Sequence, residues 1–207
     1  MLELRKDKGD LMMERKAEIN RKTRETEINV KLKLDGTGNS QVETGVGFFD
    51  HMLELMAKHG LIDMQVFVKG DISVDAHHSV EDAGIVLGQA ISAALGNKDS
   101  IRRYGTAFVP MDEALAMVSL DLSSRPFLYF DVPFSRAKIG EMESEMIEEF
   151  FRAVSVHAGI TLHIKMLHGK NNHHMAEAVF KAFGQALRQA ASIDERIQGV
   201  FSTKGVL

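Results

Sequence analysis

A five-residue pattern, His-His-x-x-Glu, occurs twice in this chain, as His77-His78-Ser79-Val80-Glu81 and as His173-His174-Met175-Ala176-Glu177. Each copy is followed at the same distance by Gly-Gln-Ala, at Gly88-Gln89-Ala90 and Gly184-Gln185-Ala186. The copies start 96 residues apart in a chain of 207. Self-similarity at half the chain length suggests two related halves. Imidazole and carboxylate together suit a borderline divalent metal.

Hydrophobic periodicity gives the halves a similar order of elements. Thr26 to Leu34 alternates apolar and polar residues, as a half-exposed strand does, and Asp35 to Asn39 reads as a turn. Phe48 to His59 carries apolar residues at helical spacing, Met64 to Lys69 alternates again, and Ile72-Ser73-Val74 reads as a further strand. The first His pair then opens a helix to about Leu95, with Gly96 as its stop. In the second half, Ala114 to Leu122, Pro126 to Val132 and Ile160 to Leu167 read as strands. Glu145 to His157 and the run from the second His pair to about Ala191 read as helices. The expected fold is α/β (α+β), with helices on one side of each sheet and both halves packed as one unit. Residues 1–14 are expected to be an N-terminal extension, 15–97 the first half and 98–207 the second.

Composition excludes several function classes. There are no cysteines, so disulfides, thiolate ligands and cysteine nucleophiles are ruled out, and any metal must be held by His, Asp or Glu. The net charge of −4 does not favour a nucleic-acid partner. The N-terminus is charged and lacks the apolar core of a signal peptide. No apolar run approaches the roughly 20 residues needed to cross a bilayer. A soluble, cytoplasmic protein with no membrane partner is expected.

On a helix, residues four apart share a face. His77 therefore points with Glu81, and His173 with Glu177, whereas His78 and His174 are rotated by about 100° and are free to serve a different metal. Two motifs give two metals, each needing further ligands. His51, near the start of the first helix, is one candidate, and Glu149 is its counterpart by position in the second half. A His-His pair at a helix start could instead be a polar cap. Two copies with matching downstream residues argue against that. A structural or storage site would use the same ligands. A four-helix di-metal bundle does not suit so strand-rich a chain, and the His-Glu-x-x-His order of a zincin is absent.

The chain resembles the imidazoleglycerol-phosphate dehydratase family from Arg15 onward. The likeness rests on Arg21-Lys22-Thr23-Arg24-Glu25-Thr26, Gly45-Val46-Gly47-Phe48-Phe49-Asp50-His51-Met52-Leu53, Asp75-Ala76-His77-His78-Ser79-Val80-Glu81-Asp82 and Arg102-Arg103-Tyr104-Gly105. It continues through Pro110-Met111-Asp112-Glu113, Ser124-Arg125-Pro126, Glu148-Glu149-Phe150-Phe151-Arg152, Gly169-Lys170-Asn171-Asn172-His173-His174, Phe180-Lys181-Ala182-Phe183 and Ser202-Thr203-Lys204-Gly205. The resemblance implies duplicated half-domains of the ribosomal protein S5 domain 2-like type, two manganese ions (Mn2+) per active site, and trimers assembled into a 24-subunit shell whose sites are shared between subunits. It implies that one metal takes His51, His78, His173 and Glu177, and the other His77, Glu81, Glu149 and His174. Position 149 is often His in the family and is Glu here, an acceptable manganese ligand.

The implied reaction dehydrates imidazole-glycerol phosphate to imidazole-acetol phosphate in histidine biosynthesis. Metals flanking an azole ring acidify its N–H, as they acidify bound water, and the electron-rich ring then expels the C3 hydroxide. Glu25, Glu81 and Glu177 are the catalytic candidates. Arg103, Arg125, Lys181, Ser202, Thr203 and Lys204 are implied to bind the phosphate. His59 is a candidate for lining the substrate pocket beside Glu25, His51, His77, Glu81 and His173. A non-catalytic metal-binding assembly protein and a metal hydrolase are the alternatives. The clustered cationic residues speak against the first, and the want of a nucleophile-base signature against the second.

Overall fold

The computed structural model describes residues 14–207, so the expected N-terminal extension lies outside the described residues except for Glu14. The first part of the chain forms β1 (Lys16–Lys22), β2 (Thr26–Lys33), β3 (Ser40–Glu43), α1 (Gly47–Gly60), β4 (Asp63–Gly70) and α2 (His77–Leu95). The second forms β5 (Tyr104–Met111), β6 (Ala114–Asp121), β7 (Phe127–Asp131), a short ribbon of β8 (Lys138–Ile139) and β9 (Met142–Glu143), then α3 (Glu145–Ala158), β10 (Thr161–His168) and α4 (Asn172–Ala191).

The result is α/β, with two mixed four-stranded sheets ordered β1-β2-β4-β3 and β5-β6-β10-β7. In each sheet the first two pairings are antiparallel and the last is parallel. One face of each sheet is apolar. Ile28, Val30 and Leu32 of β2 alternate with exposed or half-exposed polar neighbours, and Ala116, Val118 and Leu120 of β6 with half-exposed Leu115, Met117, Ser119 and Asp121. Helix α2 covers β1 and β2, and α4 covers β5 and β6. The helices also pair crosswise, α1 on α4 and α2 on α3, so each helix pair joins one helix from either part of the chain. Between them lies an aromatic cluster: Phe49 meets Phe150 edge-on at 5.2 Å, Phe150 stacks on Phe180 at 5.5 Å, and Phe151 packs on Phe180 and Phe183.

The crosswise pairing explains the repeated Gly-Gln-Ala. A Cβ on Gly184 of α4 would run into the Met56 carbonyl of α1 and lie 2.9 Å from the Gly60 nitrogen. A Cβ on Gly88 of α2 would lie 2.9 Å from His157 Cβ and 3.0 Å from the Val154 carbonyl of α3. Each glycine removes the side chain where two helix backbones meet.

One expected strand is overturned. Residues 72–74 form a turn closed by the Val74 N–H donating to the Asp71 carbonyl at 2.8 Å. Ile72 and Val74 are exposed, and the few residues between Gly70 and α2 leave no length to reach a strand partner. Strands β1, β3 and β5 were not expected. Along β1 and β3 the faces are mostly polar, and the inward residues of β5 are the small Gly105, Ala107 and Val109. Small residues are needed there because α4 passes so close that a Cβ on Gly105 would strike the Ala186 backbone.

Gly184→Ala is expected to cost about 1–3 kcal/mol by overpacking the α1–α4 crossing. A denaturant titration against the unchanged chain checks this as a lowered midpoint.

Candidate active site

Both His pairs stand at the starts of helices, but neither caps one. The His77 N–H donates to Asp75 Oδ1 at 2.8 Å, and the His173 N–H to Asn171 Oδ1 at 2.9 Å. Asn171 caps α4, and Asp75, one residue before the N-cap Ala76, accepts the first N–H of α2, so none of the four imidazoles serves as a cap. The polar-cap reading of the pairs is excluded.

On α1 and α4, His51, His173 and Glu177 meet. Their donor atoms all lie within 4.8 Å of one another, and they are the one such group among the described residues. His51 Nε2 is 3.2 Å and His173 Nε2 3.0 Å from the same Glu177 Oε1, while the Lys181 ammonium donates to Oε2 at 2.7 Å. Glu177 is a buried carboxylate, 8 % exposed. Burial pushes its pKa up, but hydrogen bonds from Lys181, His51 and His173 outweigh this and hold it at about 2. Two imidazoles and a carboxylate, with a cation already on the other carboxylate oxygen, form a donor set that fits a divalent metal such as zinc, iron or manganese.

The matching helix pair, α2 and α3, carries His77, Glu81 and Glu149. His77 Nε2 lies 3.5 Å from Glu81 Oε2, one helical turn on, and Glu149 Oε2 lies 3.4 Å from Arg152 Nε. His51 on α1 reaches the motif of α4, whereas Glu149 on α3 pairs with Arg152 and, among the described residues, does not gather with His77 and Glu81 as His51 does with His173 and Glu177. The remaining pair of expected ligands joins neither group. His78 Nδ1 faces Asp71 and His174 Nδ1 faces Glu113, and these carboxylates raise both imidazole pKa values. One chain therefore does not bring together four ligands of either expected set.

Arg103, Arg125, Ser202, Thr203 and Lys204 line one cleft of about 770 Å³. Arg103 is 8 % exposed, with Nε and one terminal nitrogen on Asp121 at 2.7 and 3.0 Å and the other on the Phe201 carbonyl at 2.9 Å. Its φ of 70° is uncommon for a side-chain-bearing residue. The Asp121 fork and the carbonyl contact hold it there. Arg125 projects outward, 3.7 Å from Asp121. Lys181, expected with this group, does not line the cleft but lies at Glu177. His59 is half-buried. Burial, then the nearby charges of Lys181 and Arg188, push its imidazole pKa down. Glu25 is exposed on the β1–β2 turn, close enough to His78 to raise its pKa.

Sequence reasoning missed Asp71, Glu113 and Asp121. Carboxylates off the helix faces show no periodicity, so only tertiary contacts reveal their partners.

Because the Glu177 pKa is depressed in the folded chain, its stabilising effect is full above about pH 4.5 and is lost as pH falls towards about 2. In metal-free protein, Glu177→Gln is expected to flatten the stability profile across that window, checked by denaturant midpoints measured at successive pH values.

Comparison with known proteins converges on one family. Residues 44–187 match the profile of imidazoleglycerol-phosphate dehydratase. The chain is 63% identical to the imidazoleglycerol-phosphate dehydratase of Acetivibrio thermocellus over 195 residues, 94% of this chain and 100% of the relative. It is 60% identical to that of Clostridium botulinum strain Langeland over 196 residues, 95% and 100% of the two chains. Among solved structures, the dehydratase of Staphylococcus aureus superposes with a TM-score of 0.79 at 40% identity, covering 86% of this chain and 99% of that one. The Pyrococcus furiosus enzyme gives a TM-score of 0.80 at 38% identity, covering 91% and 100%. The chain belongs to the imidazoleglycerol-phosphate dehydratase family.

Proposed function

We propose that this chain is a manganese-dependent hydro-lyase. It converts D-erythro-imidazole-glycerol phosphate to imidazole-acetol phosphate in cytoplasmic histidine biosynthesis. The observation that carries the reading is the meeting of His51, His173 and Glu177 across the α1–α4 pair, in a chain of this family.

Two divalent cations per site suit the two equivalent helix pairs. His51, His173 and Glu177, joined by His78, would hold one. His77, Glu81 and Glu149, joined by His174, would hold the other. Once bound, the cations supply Lewis-acid polarisation that makes the substrate's ring N–H more acidic. Since His78 and His174 turn to Asp71 and Glu113 within one chain, a neighbouring copy is the natural source of the fourth ligand. Trimers built into a 24-subunit shell with shared active sites accommodate this, and an isolated chain is then inactive.

The protein's own groups have separate tasks. Arg103, oriented in advance by Asp121, keeps further N–H donors of its fork for the substrate phosphate, with Arg125, Ser202, Thr203 and Lys204 beside it. Lys181 reaches the same phosphate from a neighbouring copy or steadies Glu177. His59 lines the pocket wall. Glu81 and Glu177 stand ready to take a proton from the ring and to pass one to the departing hydroxide, which leaves as water. Glu25, exposed beside His78, transfers the proton at C2.

The repeated strand order and pairing sense support the reading of the fold as duplicated half-domains of the ribosomal protein S5 domain 2-like type, with halves at 15–97 and 98–207.

Complete chelation is expected to abolish loss of imidazole-glycerol phosphate, and added Mn2+ to restore it. Turnover that survives full metal removal overturns the proposal. Glu25→Gln is expected to keep Mn2+ and substrate binding while lowering kcat by about 100-fold or more. Binding measurements alongside single-turnover rates check this, and normal turnover removes Glu25 from the chemistry.

A further inference from the structure

The second histidine of each motif is held in the same way by a carboxylate from a different place in the fold. His78 Nδ1 lies 3.0 and 3.1 Å from the oxygens of Asp71, and His174 Nδ1 lies 2.8 Å from Glu113 Oε2. Both contacts use Nδ1. Among the described residues neither Nε2 makes a hydrogen bond, and His174 Nε2 is 3.9 Å from an Asp112 carboxylate oxygen. That is beyond hydrogen-bond range.

Asp71 precedes its histidine by 7 residues, in the turn between β4 and α2. Glu113 precedes its own by 61, in the β5–β6 hairpin turn. Repetition of the first half would put the second carboxylate at position 167, which is an exposed leucine. The two arrangements are therefore not copies of one inherited contact. Glu113 is also fixed independently of the imidazole, since its Oε1 accepts the backbone N–H groups of Lys170 and Asn171 at 3.2 and 2.7 Å. Its other oxygen is left to face the ring. The same local chemistry reached from unrelated backbone positions points to a requirement of the histidine itself.

We propose that Asp71 and Glu113 are positioning residues, which keep the proton of His78 and His174 on Nδ1 and turn the Nε2 lone pair outward toward a divalent cation. This rests on the functional reading above. A carboxylate on Nδ1 fixes the ring plane, selects the tautomer and strengthens the imidazole as a donor. It would do so before a neighbouring copy arrives, so each subunit would present two ready-made ligands to its partners.

The test titrates metal-free protein with Mn2+ and follows free Mn2+ by electron paramagnetic resonance. Circular dichroism and sedimentation are recorded in parallel. Asp71→Ala is expected to weaken one of two Mn2+ sites per chain by about 10–100-fold while leaving the other tight. Glu113→Ala should do the same to the other site, and the double variant to both. Because Glu113 also ties down the turn before α4, Glu113→Gln and Asp71→Asn serve as milder variants that keep an acceptor oxygen, with losses expected between those of alanine and the parent. Circular dichroism should not change in any of them. Parent protein that binds no Mn2+ sinks the functional reading and this assignment with it. Parent protein that binds two Mn2+ ions, with all the variants binding as tightly, overturns the assignment alone.

Discussion

The close crossing of paired helices is the constraint on which the rest of the molecule depends. At Gly184 one helix backbone presses against its partner with no side chain between them, and at Gly88 it meets the Val154 carbonyl and His157 Cβ. That contact fixes the spacing of α1 from α4 and of α2 from α3. It brings helices from the two parts of the chain together while α2 and α4 stay packed on their own sheets. The phenylalanines of α1, α3 and α4 then fill the space around these crossings, and their edge-on and stacked contacts tie three helices into one layer. Dense packing of this kind resists small shifts, and metal ligands drawn from two helices need such rigidity.

The active-site chemistry follows from that geometry. His51 and His173 lie 126 and 4 residues from Glu177 along the chain, yet both imidazoles reach one of its carboxylate oxygens because α1 and α4 cross. A buried carboxylate is costly unless compensated. Lys181 and the two imidazoles compensate it, which is why its pKa lies so low despite its burial. A divalent cation would take over part of that role. On the far side of the molecule's chemistry, Arg103 is compensated in turn by Asp121, and this pair anchors the C-terminal segment through the Phe201 carbonyl. Both ends of the proposed substrate would thus meet charges whose positions are set before it binds.

Some of this was legible in the residues alone. The four helices and the strands at Thr26, Met64, Ala114, Phe127 and Thr161 stood out because large apolar residues recur there at a helical or alternating period. The edge strands β1 and β3 did not, since a polar, half-exposed edge has little hydrophobic pattern to read. Nor did β5, whose inward side is built from small residues to admit α4. The apparent strand at Ile72 to Val74 had apolar residues at the right spacing, but no neighbouring strand lies within its reach. The same division holds at the site. His77, Glu81, His173 and Glu177 share helix faces by arithmetic. The partnership of His51 with Glu177, of His174 with Glu113 and of Arg103 with Asp121 depends on long-range folding.

The sequence by itself determined the chemistry and its doubling: imidazole and carboxylate donors without thiolates, set twice at one helical turn, each with a glycine downstream. Periodicity carries that information because side chains on one helix are neighbours by virtue of the backbone alone. Tertiary structure alone decided which helices pair, and so which donors converge. It also decided that His78 and His174 turn away from the ligands of their own chain. Those outcomes depend on contacts between residues far apart in the chain, and no local pattern encodes them.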